Sequence, residues 1–275
     1  MDVDAAPRPL DVALGEYDTG WHDPGASLER AAALVEDAAA AGARLVVLPE
    51  TCTTGFTMET DRLAERRDGD SVRALASIAC RSRIHLLAGV PLRSDDRTSE
   101  VHNTALLFDP DGSITAEYRK QRLFAYGRED GSYVPGDSPV IARVDDVRIA
   151  PFICYDLRFP ELFRAVAPHV DAIVLIANWP AARRPHWDVL VRARAIENQC
   201  YVVAVNRVGE GGGIGYDGGS VAYDPWGEIV ASSASNPGVR ASRGSPAKPA
   251  IARIDPGVVG RMRARYPFVP DARDA

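Results

Sequence analysis

Helix and strand alternate along this 275-residue chain, and antiparallel hairpins break the alternation; no other feature restricts its fold so strongly. The runs "DVALGEY", "RLVVLPE" and "IHLLAGV" read as short apolar strands, with helices over "SLERAAALVEDAAAAGA" and "DSVRALASIACRSR" between them. The first helix is expected to start from a Ser27 cap and to stop at Gly42. A meander follows, because "HNTALLFDPDGSITAEYRK" is two alternating runs joined by the turn "DPDG". Strands "PVIARV" and "VRIAPFIC" come next, then a helix from Pro160 to Ala167, the strand "DAIVLIANW", a helix across "PHWDVLVRARAIENQ" and the strand "CYVVAVNRV". The turn "DPWG" joins "SVAY" to "EIVAS", and "PAIARID" precedes a basic terminal helix. Such a mixture predicts an α/β fold with an inner pair of sheets rather than a simple doubly wound sheet. The segment "SNPGVRASRGSPAK" reads as a mobile loop, and with no linker elsewhere residues 1–275 are expected to form a single domain.

Composition narrows the partners. The net charge of −6 comes from interspersed acids and bases without a basic stripe, so nucleic acid and anionic membranes are not favoured and a small molecule is. The start, "MDVDAAPRPLDVALGEYD", places acids where a signal peptide carries bases, and no run approaches the roughly 18 apolar residues of a membrane span. A cytoplasmic location is expected. Cysteines 52, 80, 154 and 200 show no paired spacing, which argues against a disulfide framework or a zinc site. Core or wall positions are expected for three of them.

Cys154 stands apart, because in "APFICYDLRFPE" it closes an apolar strand at a proline-punctuated turn, the kind of corner where α/β enzymes present a nucleophile. A thiol there needs a base or a cation to act as thiolate, since apolar burial alone raises its pKa. Two other strand ends offer partners: Glu50 closes "RLVVLPE" and Lys120 closes "ITAEYRK". An acid, an amine and a thiol at the C-terminal ends of strands can converge on one face of a sheet. Singly, each has a plainer reading as solvated or core.

Taken in order, "LPE" with "TGF", "YRK" with "LF", "CYDLRFPE" and "HWDVLVRARAIENQ" resemble the signatures of the nitrilase superfamily of carbon–nitrogen hydrolases, from about Leu10 to Arg265. The resemblance implies a four-layer α-β-β-α sandwich. It implies Cys154 as nucleophile, Glu50 as general base and Lys120 as the residue that steadies the tetrahedral intermediate. Glu129, in "GREDGSY", falls where the family places a second glutamate beside that lysine. The backbone N–H of Tyr155 would join Lys120 in binding the oxyanion. No metal or organic cofactor is implied, and helices around 157–163 and 185–196 are expected to pair subunits into a homodimer or a higher homo-oligomer. One position departs from the pattern: "KQRLF" places Arg122 where many relatives carry histidine, which removes a proton shuttle and leaves a structural or anion-binding role.

The stretch "IANWPAARRPHW", with "ARAIENQ" and "VNRVG", resembles the omega-amidase branch, which implies hydrolysis of the terminal amide of short 2-oxo dicarboxylic acid monoamides. A distal carboxylate on such a substrate suits a planar bidentate donor, Arg183 or Arg184, and the resemblance favours Arg183. Trp179 and Phe56 are expected as aromatic walls, His186 as a structural hydrogen-bonding residue, and Cys52 as a wall residue beside Glu50. The alternatives are a nitrilase or N-carbamoyl amide hydrolase of the same superfamily, and a non-catalytic binding or scaffold protein on the same fold.

Overall fold

The computed structural model describes residues 7–95, 100–233 and 250–271. In chain order the first half carries β1 (Leu10–Leu14), α1 (Pro24–Ala40), β2 (Leu45–Val47), α2 (Thr60–Leu63), α3 (Asp70–Ser82), β3 (His85–Arg93), β4 (Val101–Phe108) and β5 (Ile114–Arg119). The second half carries β6 (Ala142–Val144), β7 (Val147–Ile153), α4 (Pro160–Val166), β8 (Ala172–Ala177), α5 (Arg184–Asn198) and β9 (Tyr201–Asn206). It closes with β10 (Val208–Gly211), β11 (Ile214–Asp217), β12 (Val221–Tyr223), β13 (Ile229–Ser232), β14 (Ala250–Ile254), α6 (Pro256–Arg265) and α7 (Phe268–Asp271). The strands form two six-stranded sheets, ordered β14-β1-β2-β3-β4-β5 and β13-β12-β9-β8-β7-β6, and β10 with β11 makes a separate hairpin.

Strand periodicity explains the layering. Because successive side chains point to opposite faces of a strand, Leu10, Val12 and Leu14 of β1, Leu45 and Val47 of β2, and Ala105 and Leu107 of β4 face the second sheet. Ala13, Val46, Leu106 and Phe108 face outward and are covered by Leu34 and Val35 of α1 and Leu75 and Ile78 of α3. On the far side, Phe163 of α4 and Trp187, Val191 and Ala195 of α5 cover the second sheet. The central strands of both sheets, such as β2, β8 and β9, are thus buried on both faces, which is why they read as continuous apolar runs. The result is the α-β-β-α sandwich expected from the sequence.

Several local expectations need correction. Helix α1 begins earlier than Ser27: Asp23 is its cap, accepting from the Ala26 N–H at 3.0 Å, and Pro24 fits the first helical turn where no N–H is needed. Ser27 is buried and its hydroxyl donates instead to the Asp23 carbonyl. The strand β2 stops at Val47, three residues before Glu50; Pro49 cannot donate to a ladder, and Thr51 turns the chain with φ of 40°. Likewise β7 ends at Ile153, and Cys154 opens a single 3₁₀ turn over Cys154–Arg158. The hairpin β10–β11 has no counterpart in the sequence reading, because its glycine-rich stretch lacks apolar alternation. Both tight turns form as expected, with Gly112 donating to Asp109 and Gly227 to Asp224 at 2.9 Å. The loop expected over residues 235–248 lies outside the described residues.

Candidate active site

Glu50 and Lys120 follow strands of one sheet and Cys154 a strand of the other, yet all three line one cavity of about 460 Å³. Glu50 comes from the turn after β2, Lys120 from the residue after β5, and Cys154 from the residue after β7. The Lys120 ammonium donates to Glu50 Oε1 at 3.0 Å and to both oxygens of Glu129 at 3.0 and 2.9 Å. All three side chains are fully buried. Glu129 lies behind Lys120 rather than on the cavity wall, and it also accepts from the Phe124 N–H at 2.6 Å.

Two asparagines that the sequence reading passed over complete the polar cluster. Asn103, in the middle of β4, donates from one amide nitrogen to Glu50 and to Glu129, both at 2.8 Å. Asn178, just past β8, gives its backbone N–H to Glu50 Oε2 at 2.8 Å and its side-chain amide to the Glu50 carbonyl at 2.8 Å. Each carboxylate oxygen of Glu50 therefore has a donor, as a buried charge requires. The signal for both residues was present as a polar side chain within or just after an apolar strand.

Electrostatics set the resting protonation. Burial alone would lower the Lys120 pKa, but Glu129 and Glu50 outweigh it and hold the amine well above its ordinary range, so it is a cation. Burial, reinforced by Glu50 and opposed by Lys120, pushes the Cys154 thiol well above its ordinary range. It rests as a neutral thiol beside a carboxylate. Cys154 also holds φ of 46°, a left-handed conformation that a residue with a Cβ adopts only under constraint from its surroundings. Its sulfur lies 4.0 Å from the Asn178 carbonyl oxygen.

Around this centre the wall is mostly aromatic. Phe56, with its ring centroid 5.4 Å from the Lys120 nitrogen, Tyr155 and Trp179 all line the cavity. Ile214 and Tyr216 of the unanticipated hairpin close another side. Arg183 lines the cavity with its guanidinium 5.3 Å from the Phe124 ring centroid. Arg184 does not; it bonds Asp188 at 2.7 Å and lies 3.6 Å from Asp217. A second guanidinium, Arg158, lines the wall over Trp179 and meets His186 Nδ1 at 3.0 Å, which gives His186 the structural contact expected of it.

Two other residues lie away from the cavity. Arg122 packs over Phe159 and approaches Glu161 at 3.5 Å. Contrary to expectation, Cys52 is no wall residue; it is wholly buried in the outer core because the turn after Glu50 directs it away from the site. Among the described residues no cluster of His, Cys, Asp and Glu suited to a metal ion occurs.

The carbon–nitrogen hydrolase family model matches residues 11–263. The chain belongs to this family. It is a hydrolase acting on carbon–nitrogen bonds, with the fold of the nitrilase superfamily. It is 34% identical over 232 residues to the 2-oxoglutaramate amidase of Bacillus subtilis, covering 83% of this chain and 88% of that protein. It is 33% identical to the omega-amidase YafV of Escherichia coli K12, over 96% of both. Among solved structures, XC1258 of Xanthomonas campestris, a CN-hydrolase superfamily protein with an arsenic adduct in its active site, superposes with a TM-score of 0.85. That match has 34% identity and covers 96% of this chain and 97% of the other.

Proposed function

We propose that residues 1–275 form a single-domain cysteine-dependent amidase that hydrolyses the terminal amide of short acid-terminated amides, 2-oxo dicarboxylic acid monoamides foremost. The observation that supports it most directly is the convergence of a thiol, a carboxylate and a buried ammonium on one cavity that also carries Arg183. An amide carbonyl is a weak electrophile and its nitrogen a poor leaving group, so three tasks must be met. Cys154 attacks the carbonyl carbon while Glu50 takes the thiol proton. Lys120 and the Tyr155 N–H meet the charge that develops on the oxygen. Glu50 passes its proton to the nitrogen, the carbon–nitrogen bond breaks, and ammonia leaves a thioester on Cys154. Glu50 then draws a proton from water, which attacks the thioester; the carbon–sulfur bond breaks, the acid leaves, and Glu50 returns the proton to the Cys154 sulfur. Glu129 and Asn103 hold Lys120 and Glu50 in place.

Every charge in this sequence is met by a side chain, so the reading calls for no metal or organic cofactor. Arg183, with no carboxylate partner among the described residues, supplies the cation for the distal carboxylate, and Trp179 and Phe56 supply apolar walls. Val189 and Ile196, 67% and 47% exposed on the outer side of α5, support a homodimer or higher homo-oligomer built through that helix. Four free thiols fit a cytoplasmic setting, and no described helix is long and apolar enough to cross a membrane. Ammonia release from a panel of 2-oxoglutaramate, neutral amides of equal length, nitriles and carbamoyl compounds tests the assignment. Preference for the acidic amide is expected; turnover confined to nitriles or carbamoyl compounds would refute it.

A further inference from the structure

Cys154 and Lys120 belong to different sheets, so something must fix the distance between them. One side chain reaches both. Asp156, wholly buried in the 3₁₀ turn after β7, accepts on Oδ2 from the Tyr118 hydroxyl at 2.7 Å and from the Ile153 N–H at 3.0 Å. On Oδ1 it accepts from the Arg122 N–H at 2.9 Å. Tyr118 and Arg122 flank Lys120 by two residues on either side, and Ile153 immediately precedes Cys154. A single carboxylate thus brackets the amine's segment and pins the turn that carries the nucleophile in its left-handed conformation.

We propose that Asp156 is a positioning residue that locks the Cys154 turn to the Lys120 strand end, so that sulfur and ammonium hold the separation the reaction needs. This rests on the roles given above to Cys154 and Lys120. The device requires an acceptor at both oxygens, which only the carboxylate offers: an asparagine would turn an amide donor toward one of the donors already there. Burial pushes the Asp156 pKa up to about 6, against the pull of Lys120 and the hydrogen bonds, so it is ionised at neutral pH. The positional tolerance is narrow, since a displacement of about 1 Å can cost on the order of 10²-fold in rate.

The test compares Asp156→Asn, Tyr118→Phe and the double variant, with folding followed by circular dichroism and kcat expressed per folded enzyme. Asp156→Asn should lower kcat by about tenfold or more with KM within about threefold, and Tyr118→Phe by roughly three- to tenfold. The double variant should fall short of the product of the two effects, because both act through one contact. A folded Asp156→Asn enzyme with kcat within about twofold of wild type, or one whose loss lies in KM, would overturn the inference. If Asp156→Asn does not fold, Tyr118→Phe decides alone, and an unchanged kcat overturns it. Cys154→Ala separates this from the proposed reaction: turnover surviving that change refutes the reaction itself, whereas an inactive Cys154→Ala beside normal Tyr118 and Asp156 variants refutes only the positioning role.

Discussion

Arg183 and Arg184 are adjacent in sequence but serve different neighbours: Arg183 lines the cavity against Phe124, while Arg184 is bound to Asp188 and packs under Gly219. The two substitutions should therefore separate. Arg183→Ala is expected to raise KM for acid-terminated amides roughly 10 to 10³-fold, the loss of a charge-assisted pair, and to change little for neutral amides. Arg184→Ala should leave that ratio alone. Equal effects of the two changes on substrate preference would remove Arg183 from the binding scheme.

Lys120 is expected to be needed for the chemistry rather than for substrate affinity. Lys120→Ala should cost on the order of 10²-fold or more in kcat, comparable with deleting an oxyanion donor. Glu129→Gln should also slow turnover, because one of the two carboxylates that keep the amine in place loses its charge. Steady-state kinetics on both variants check this. A near-normal kcat in Lys120→Ala would show that the oxyanion is met elsewhere.

The resting state of the nucleophile can be read spectroscopically. Burial and then Glu50 raise the Cys154 pKa well above its ordinary 9.0, so the ultraviolet difference between wild type and Cys154→Ser should contain no thiolate band at neutral pH. Proton removal then belongs to the catalytic step and to Glu50. A thiolate band at neutral pH would mean that the amine, not the carboxylate, governs the thiol.

Two other thiols bear on stability. Burial pushes Cys52 and Cys200 up to about 12 from an ordinary 9.0. Both are neutral in folded and unfolded chains below pH 9.0, so their stabilising contribution is complete there; above it the unfolded chain ionises first, and the contribution is lost as pH rises towards 12. Each thiol should add about 1.4 kcal/mol per pH unit to the alkaline fall in unfolding free energy. Urea unfolding across this window, compared with Cys52→Ala and Cys200→Ala, should show the slope shrink with each substitution. An unchanged slope would place these thiols in contact with water.

The layered fold was legible because its central strands are apolar on both faces and its helices carry the 3.6-residue period; Glu50, Lys120 and Cys154 drew attention as strand ends, and their proposed roles came from the family resemblance. Asn103, Asn178 and Asp156 were not singled out. Their roles lie in contacts between segments 38 to 128 residues apart, and a polar residue in or beside an apolar strand does not by itself name its distant partner. The hairpin carrying Ile214 and Tyr216 was missed for a different reason, since its glycines satisfy turn geometry and offer no alternation to read. Arg183 over Arg184 came from the family resemblance, and only the pairing of Arg184 with Asp188 gives that choice a physical basis.

Gly89 gives the most exacting check on how tightly the site is built. In β3 it lies against the turn that presents Glu50, accepting from the Cys52 N–H at 2.7 Å and donating to the Pro49 carbonyl at 3.2 Å. A Cβ at this position would stand 2.6 Å from Glu50 Cα, 2.7 Å from the Thr51 nitrogen and 2.8 Å from the Pro49 oxygen, all backbone atoms with no side chain to swing aside. Gly89→Ala must therefore push the Glu50 turn away from β3. We expect a destabilisation of about 1–3 kcal/mol, typical of overpacking, together with a fall in kcat larger than the fall in folded fraction, because the displaced residue is the base. Thermal unfolding and kinetics on the same preparation test both parts. A Gly89→Ala enzyme with unaltered stability and kcat would show that the turn carries slack, and that the position of Glu50 is set by its bonds to Asn103, Asn178 and Lys120.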